Sequence, residues 1–118
     1  MSWNYNTSLN RVETHLQGMG EIEVEKLVRD ADLPNYGELV ALYVDPDHWL
    51  EGVGVALVTA AHAALLQQGF RNANLWLLAG NLRADRFYQN DGWLPDGTRR
   101  TDTIWNITVD ELRYQRPL

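Results

Sequence analysis

The segment from Glu38 to Leu78 constrains the fold most, because its pattern predicts strand, helix and strand with short links. Residues 38–44 (ELVALYV) form a short run rich in Val, Leu and Tyr, as in a mostly buried strand. Residues 53–68 carry apolar side chains at helical spacing, and Gly69 follows as a helix-closing residue. Residues 73–78 (ANLWLL) predict a second buried strand. Strands joined in this way are expected to be parallel, with a right-handed crossover.

The patterns that flank this segment predict further elements. Residues 81–90 predict a helix that stops before Asp91-Gly92, followed by a short strand at Trp93-Leu94. Asp96-Gly97 is a turn signal, and residues 104–116 are strand-like. Residues 11–17 and 21–28 flank a glycine-containing turn as in a hairpin, although their apolar spacing also suits a helix.

The composition limits the possible functions. A chain of 118 residues predicts a single domain over residues 1–118, and its net charge of −6 argues against nucleic acid as a partner. A cationic small molecule or a basic peptide is the better expectation. The absence of cysteine excludes disulfides and a cysteine nucleophile, and the three histidines lack ligand spacing, so no metal is expected. We expect a cytoplasmic protein that does not associate with a membrane, because neither a signal peptide nor an apolar run of about 18 residues is present.

Gly52 and Gly54 open the predicted helix, where glycine is otherwise unfavourable by about 1 kcal/mol. A tight strand-to-helix turn with positive φ explains this pattern. Alternatively, the glycines let an anion approach the amide groups of the first helical turn. A dinucleotide-binding fingerprint would need a third glycine where Leu57 stands, and a Walker loop would need a Gly-Lys-Ser/Thr sequence that is absent.

Asn81, Ala84 and Tyr88 share one face of the later predicted helix. This face, an amide and a phenol separated by a methyl group, leaves room for a slender polar ligand. Phe87 and Tyr88 are equally explained as core aromatics at a helix end.

These two patterns together resemble the GCN5-related N-acetyltransferase (GNAT) family. The family's motif Gln/Arg-x-x-Gly-x-Gly/Ala, at a strand–helix junction, is matched by residues 49–54 (WLEGVG). Its later motif of Asn, a small residue, an aromatic-Tyr pair and Gly-Phe/Trp is matched within residues 81–93. The resemblance covers residues 36–118. It implies an α/β (α+β) fold with a mixed, mostly antiparallel sheet, a splayed parallel strand pair and a crossover helix.

The resemblance also implies acetyl-CoA as cosubstrate and a set of contacts for it. The CoA pyrophosphate is expected on the amides of the glycine turn, and the pantetheine arm is expected along the strand before it. The implied cofactor-binding residues are Leu42, Tyr43, Val44, Trp49, Gly52, Val53, Gly54, Val55, Asn81, Ala84 and Tyr88.

Two residues are implied to move protons during transfer to the amine of a small molecule or peptide. Tyr88 matches the family position that commonly protonates the departing CoA sulfur. Glu38 begins the strand where some family members carry a catalytic glutamate, and it could draw the amine proton through a water. A solvated strand-end carboxylate explains Glu38 equally well.

The chain also departs from the family pattern. Trp49 replaces the usual Gln or Arg, and Glu51 places a carboxylate beside the expected pyrophosphate. Residues 1–36 are too few for the first strand, two helices and hairpin that usually build the acceptor side. A non-catalytic acyl-CoA-binding or interaction module is therefore the alternative function. A homodimer is expected, in which a neighbour covers the uncovered side of the sheet.

Overall fold

The computed structural model describes residues 3–7, 11–16, 18–25, 32–49 and 51–118. They form two compact units, one of Met1–Ala73 with Leu118 and one of Asn74–Pro117. A single domain over residues 1–118 stays a prediction.

The first unit contains four strands that neighbour one another in chain order and form antiparallel ladders. They are β1 (Trp3–Thr7), β2 (Arg11–Leu16), β3 (Gly20–Glu25) and β4 (Gly37–Val44). The predicted hairpin at residues 11–28 is thus confirmed for its described residues. A Cβ at Gly20 would collide with the backbone carbonyl of Tyr43, so glycine permits the close approach of β3 and β4. The expectation that no first strand precedes the hairpin is wrong, because β1 pairs with residues 12–16 of β2.

Helix α1 (Val53–Gln67) packs against β2, β3 and β4 and supplies much of the core of this unit. Its buried side chains recur at helical spacing, as the sequence predicts: Val53, Leu57, Val58, Ala61 and Leu65. Leu16, Ile22, Val24 and Leu39 of the sheet are buried as well. Gly69 adopts φ 94° just beyond the helix, where the Phe70 N–H donates to the Leu65 carbonyl.

The second unit contains strands in the order β5-β7-β6 and one helix. The elements are β5 (Asn72–Leu78, whose first two residues belong to the first unit), α2 (Leu82–Asn90), β6 (Leu94–Ile104) and β7 (Ile107–Pro117). The Tyr114 hydroxyl donates to the Asp85 carboxylate at 2.5 Å and ties β7 to α2. Trp93 is fully buried just before β6.

The last hairpin turns at a different place from the one its glycine suggests. Asp96-Gly97 lies inside β6, where the register with β7 shifts between Pro95 and Arg99 and Gly97 adopts φ 85°. The prediction of a turn at this dipeptide is wrong, because the positive φ of Gly97 serves a bulge. The chain reverses at Trp105 and Asn106, both with positive φ, as in a type I′ turn.

The splayed parallel pair expected of residues 39–44 and 73–78 involves both units and stays a prediction. None of the described helices is long and apolar enough to cross a bilayer.

Candidate functional site

The turn that enters α1 presents backbone N–H groups. Gly52 is the N-cap residue at φ 79° and ψ 9°, in the left-handed region that favours glycine, and its carbonyl accepts from the Ala56 N–H at 3.0 Å. No side chain of the described residues caps this end, and no acidic residue lies in the first helical turn. The first N–H groups of a helix have no partner within it, so those of Val53, Gly54 and Val55 are donors that an acceptor outside the helix can use. The turn therefore combines the positive φ of a tight turn with the donors of an anion site.

The Glu51 carboxylate beside this turn is engaged by His48. His48 Nδ1 and Glu51 Oε2 lie 2.6 Å apart, and both side chains remain partly exposed. When the imidazole is protonated, the two groups form an ion pair, which reduces the repulsion that Glu51 exerts on a bound anion.

Trp49, which fills the first place of the glycine motif, contacts the end of β4. Its indole Nε1 donates to the Val44 carbonyl at 3.0 Å, and 47% of the residue is exposed. The Asp45 carboxylate accepts from the Asp47 N–H at 2.9 Å and caps the short 3-10 helix Pro46–His48. The link between β4 and α1 is thus held by its own side chains. A contact of Trp49 with a cofactor stays a prediction.

Strand β4 places its candidate residues in different environments. Glu38 lies near the start of the strand and is only 6% exposed. The alternative of a solvated carboxylate is therefore wrong. Near the end of the strand, Leu42 and Val44 are half-buried and Tyr43 is exposed. The roles proposed for these residues stay predictions.

In the second unit, Asn81 serves as the N-cap of α2. Its Oδ1 accepts from the Ala84 N–H at 3.1 Å, so the side-chain carbonyl is used in starting the helix. Asn before a helical run is itself an N-cap signal. The sequence therefore carried a signal for this capping role, although residues 81–90 were all predicted as helix. The capping bond uses only the Oδ1 atom of Asn81 and does not involve its side-chain NH₂ group. The contact of Asn81 with CoA stays a prediction.

Tyr88 is a core aromatic near the end of α2 and is 6% exposed. Its ring makes edge contacts with Phe87 (centroids 5.0 Å apart) and Trp93 (6.0 Å). Burial, and to a lesser degree the Asp91 carboxylate, raises the pKa of Tyr88 to about 12. The phenol therefore keeps its proton near neutral pH and can act as a hydrogen-bond donor.

We expect the raised pKa of Tyr88 to make the protein sensitive to alkali. Above the ordinary tyrosine pKa of 10.0 the unfolded chain releases this proton, whereas the native chain holds it up to about 12. The contribution of Tyr88 to the free energy of unfolding is therefore constant below about pH 10 and falls above it, by up to about 1.4 kcal/mol per pH unit. Urea unfolding of wild type and Tyr88→Phe on both sides of pH 10 measures the effect. An equal loss of stability in both proteins would contradict it.

Sequence reasoning missed a second buried phenol in this unit. Tyr114 donates to Asp85, and burial and this bond raise its pKa to about 12 as well. The signal available for it was the alternation of apolar and polar residues in the strand-like tail. Buried Arg113 pairs with Asp96, Nε to Oδ2 at 2.6 Å, next to the bulge of β6. Among the described residues, no group of three or more His, Cys, Asp or Glu could hold a metal ion.

Comparison with known proteins agrees with the architecture. The family model for the acetyltransferase (GNAT) family matches residues 10–93. No curated protein sequence matches the chain significantly.

Three solved structures illustrate the likeness. The ribosomal-protein-S18-alanine N-acetyltransferase of Escherichia coli is 20% identical, with a TM-score of 0.68 over 96% of this chain and 68% of that one. The PaiA N-acetyltransferase of Thermoplasma acidophilum, in complex with coenzyme A, is 18% identical, with a TM-score of 0.66 over 92% and 60%. A Bacillus anthracis protein assigned as a streptothricin acetyltransferase, in complex with acetyl coenzyme A, is 20% identical, with a TM-score of 0.75 over 97% and 66%.

The chain thus spans between 60% and 68% of the length of these three proteins. At such identities the likeness shows the fold, and it confirms the predicted mixed α/β class. The family model covers well over half of the chain and includes both sequence motifs. The chain belongs to the acetyltransferase (GNAT) family.

Proposed function

We propose that this protein transfers an acetyl group from acetyl-CoA to the amine of a small cationic molecule or basic peptide. The observation that carries the proposal is the N-terminus of α1, which family membership associates with CoA. There, Gly52 adopts a left-handed conformation, and no side chain of the described residues caps the helix.

The donors of this turn suit the diphosphate of CoA. The amides of Val53, Gly54 and Val55 point out of the first helical turn, and anions near such a terminus gain about 0.3–1 kcal/mol at exposed sites. The Glu51 carboxylate lies 2.6 Å from His48 Nδ1, and a protonated imidazole there would offset part of the opposing charge. Acetyl-CoA, when bound, supplies the acetyl thioester that reacts with the amine.

The proposed chemistry uses one carboxylate to accept the amine proton and one phenol to stabilise the leaving thiolate. The amine nitrogen bonds to the acetyl carbon while the carbon–sulfur bond breaks. Glu38 accepts the amine proton through a water, and Tyr88 donates a hydrogen bond to the departing sulfur. With a pKa of about 12, Tyr88 holds its proton more tightly than a thiol of ordinary pKa near 8.5, by about 5 kcal/mol. Tyr88 therefore stabilises the leaving thiolate mainly as a hydrogen-bond donor, and solvent protons complete its neutralisation.

The charge distribution supports a cationic acceptor. The first unit holds ten of the sixteen carboxylates and four of the ten basic side chains, so it carries the whole net charge of −6. The second unit, Asn74–Pro117, is balanced, with six arginines and six acidic residues. A negative surface raises the local concentration of cationic ligands.

A thermal-shift titration with CoA and acetyl-CoA tests the proposed binding. Gly52→Val forces a β-branched residue into the left-handed conformation at φ 79°, and we expect it to weaken CoA binding at least about tenfold. Gly69→Val is the matched control, because it imposes similar strain at φ 94° beyond the other end of α1. The control is expected to lose stability and retain the CoA-induced rise in melting temperature.

Two outcomes would count against the proposal. If the wild-type protein shows no response to CoA at millimolar concentration, the assigned cofactor site is wrong. The second outcome is that CoA binds while a thiol-release screen over diamines, polyamines and lysine-containing peptides shows no turnover. That result would favour the alternative function, a non-catalytic acyl-CoA-binding module.

A further inference from the structure

The turn between β6 and β7 exposes an unusual concentration of apolar side chains. Trp105 is 91% exposed, and Ile104 and Ile107, which flank the two-residue turn, are also exposed. Trp105 adopts φ 52°, a left-handed conformation that is unfavourable for a bulky residue and that Asn or Gly would adopt more readily. A strained aromatic side chain with so little burial does not contribute to the core of this unit.

Strand β6, which leads into this turn, lies at the edge of its sheet with β7 as its neighbour. The Asp110 carbonyl of β7 accepts from the Ala79 N–H, so the backbone polar groups of Asp110 point away from β6. Thr101 is the register partner of Asp110. In an antiparallel ladder, such a pair directs its backbone groups away from each other. Thr101 therefore points its N–H and C=O to the open edge, as do Arg99 and Thr103 by alternation.

The edge is complementary to itself in one register. In a two-fold antiparallel pair centred on Thr101, Arg100 lies opposite Asp102 of a second copy. Centring the pair on Arg100 or on Asp102 would instead set like charges against each other, which is destabilising.

The same register brings Trp105 of each copy to the bulge at Gly97 of the other. The space where a Cβ of Gly97 would lie is open, with nothing within 4 Å. An aromatic side chain across from a strand glycine is a recognised stabilising pair.

We propose that two copies of this chain associate through β6, paired antiparallel about Thr101, with Trp105 of each copy covering the Gly97 bulge of the other. Arg100 Nε bonds Glu111 at 2.9 Å, and its guanidinium lies 4.2 Å from the centroid of the Trp76 ring. These contacts hold Arg100 on the sheet face where the second copy's Asp102 would stand. The Asp102 carboxylate accepts from the Thr103 N–H at 2.8 Å. In the proposed dimer, the Thr103 N–H would instead donate to the backbone of the second copy.

Thr101→Pro tests the pairing, because it removes an N–H that faces the open edge and spares the ladder with β7. We expect wild type to reach twice the chain mass of 13.5 kDa in sedimentation equilibrium between about 10 and 200 µM. Thr101→Pro should remain at the single-chain mass, whereas Thr101→Val, which keeps the N–H, should dimerise as wild type does. A wild-type monomer throughout this range, or a dimer that persists in a folded Thr101→Pro variant, would overturn the proposal.

Trp105→Asn separates an interface role from a structural one. Asn favours the left-handed turn conformation, so thermal unfolding of the monomer should be unchanged or shifted upward. Loss of the indole should weaken dimerisation at least about tenfold. If the variant dimerises as tightly as wild type, Trp105 is not part of the interface and the proposal fails.

Discussion

Tyr88→Phe is expected to lower kcat for acetyl transfer by about a hundredfold or more, with the affinity for CoA nearly unchanged. The substitution keeps the ring and its edge contacts with Phe87 and Trp93, and it removes only the hydroxyl. If the phenol stabilises the leaving thiolate, the loss therefore falls on the transition state and not on cofactor binding. Thiol release under saturating acetyl-CoA measures kcat, and calorimetry with CoA measures affinity.

Tyr114→Phe is the matched control for this experiment. It also removes a phenol of raised pKa from a buried residue of the same unit, but that hydroxyl bonds Asp85. We expect a change in kcat of less than about threefold, together with a modest loss of stability from the broken hydrogen bond. An unchanged rate in Tyr88→Phe would show that the phenol does not stabilise the leaving thiolate, and the role proposed for Tyr88 would be wrong.

Trp93→Ala is expected to reduce the free energy of unfolding by about 3–5 kcal/mol, the usual cost of removing a large aromatic side chain from a core. Trp93 is fully buried, and its ring contacts Tyr88. Its indole Nε1 donates to the Asp91 carboxylate at 3.0 Å, and its backbone N–H donates to the Tyr88 carbonyl. A loss of this size is a large share of the stability of an ordinary domain.

Leu94→Ala, one residue further along, provides the control because Leu94 is largely exposed. We expect it to change the free energy of unfolding by no more than about 0.5 kcal/mol. Urea denaturation at neutral pH distinguishes the two variants. A loss below about 1 kcal/mol in Trp93→Ala would show that the cavity collapses or that Trp93 packs less tightly than the structure indicates.

Local sequence patterns predicted helices α1 and α2 and several of the strands, but they missed β1 and most of β6. Residues 53–68 predicted α1, observed at Val53–Gln67, since its apolar spacing and its flanking glycines act over a few residues. Residues 81–90 similarly predicted α2, which is observed at Leu82–Asn90 with Asn81 as its N-cap and not as its first helical residue. The glycine motif at residues 49–54 and the aromatic motif within residues 81–93 were sufficient to predict family membership, which the family model confirms.

The candidate site was less predictable, because the environment of a side chain depends on residues far away in sequence. Glu38 stands at a strand end and could equally be solvated or buried from sequence alone; the structure buries it. The bond between His48 and Glu51 could have been anticipated from their spacing of three residues, whereas the bond of Trp49 to the Val44 carbonyl depends on the path of the link.

What the sequence by itself determined is the set of local conformations: where helices begin and end, and where glycine permits positive φ. Tertiary structure decided the last hairpin, because Gly97 supports either a turn or a bulge and only pairing with β7 distinguishes them. That pairing extends β6 to Ile104 and moves the reversal to Trp105 and Asn106. The backbone hydrogen bonds of a long ladder outweigh the cost of one aromatic residue in a left-handed conformation.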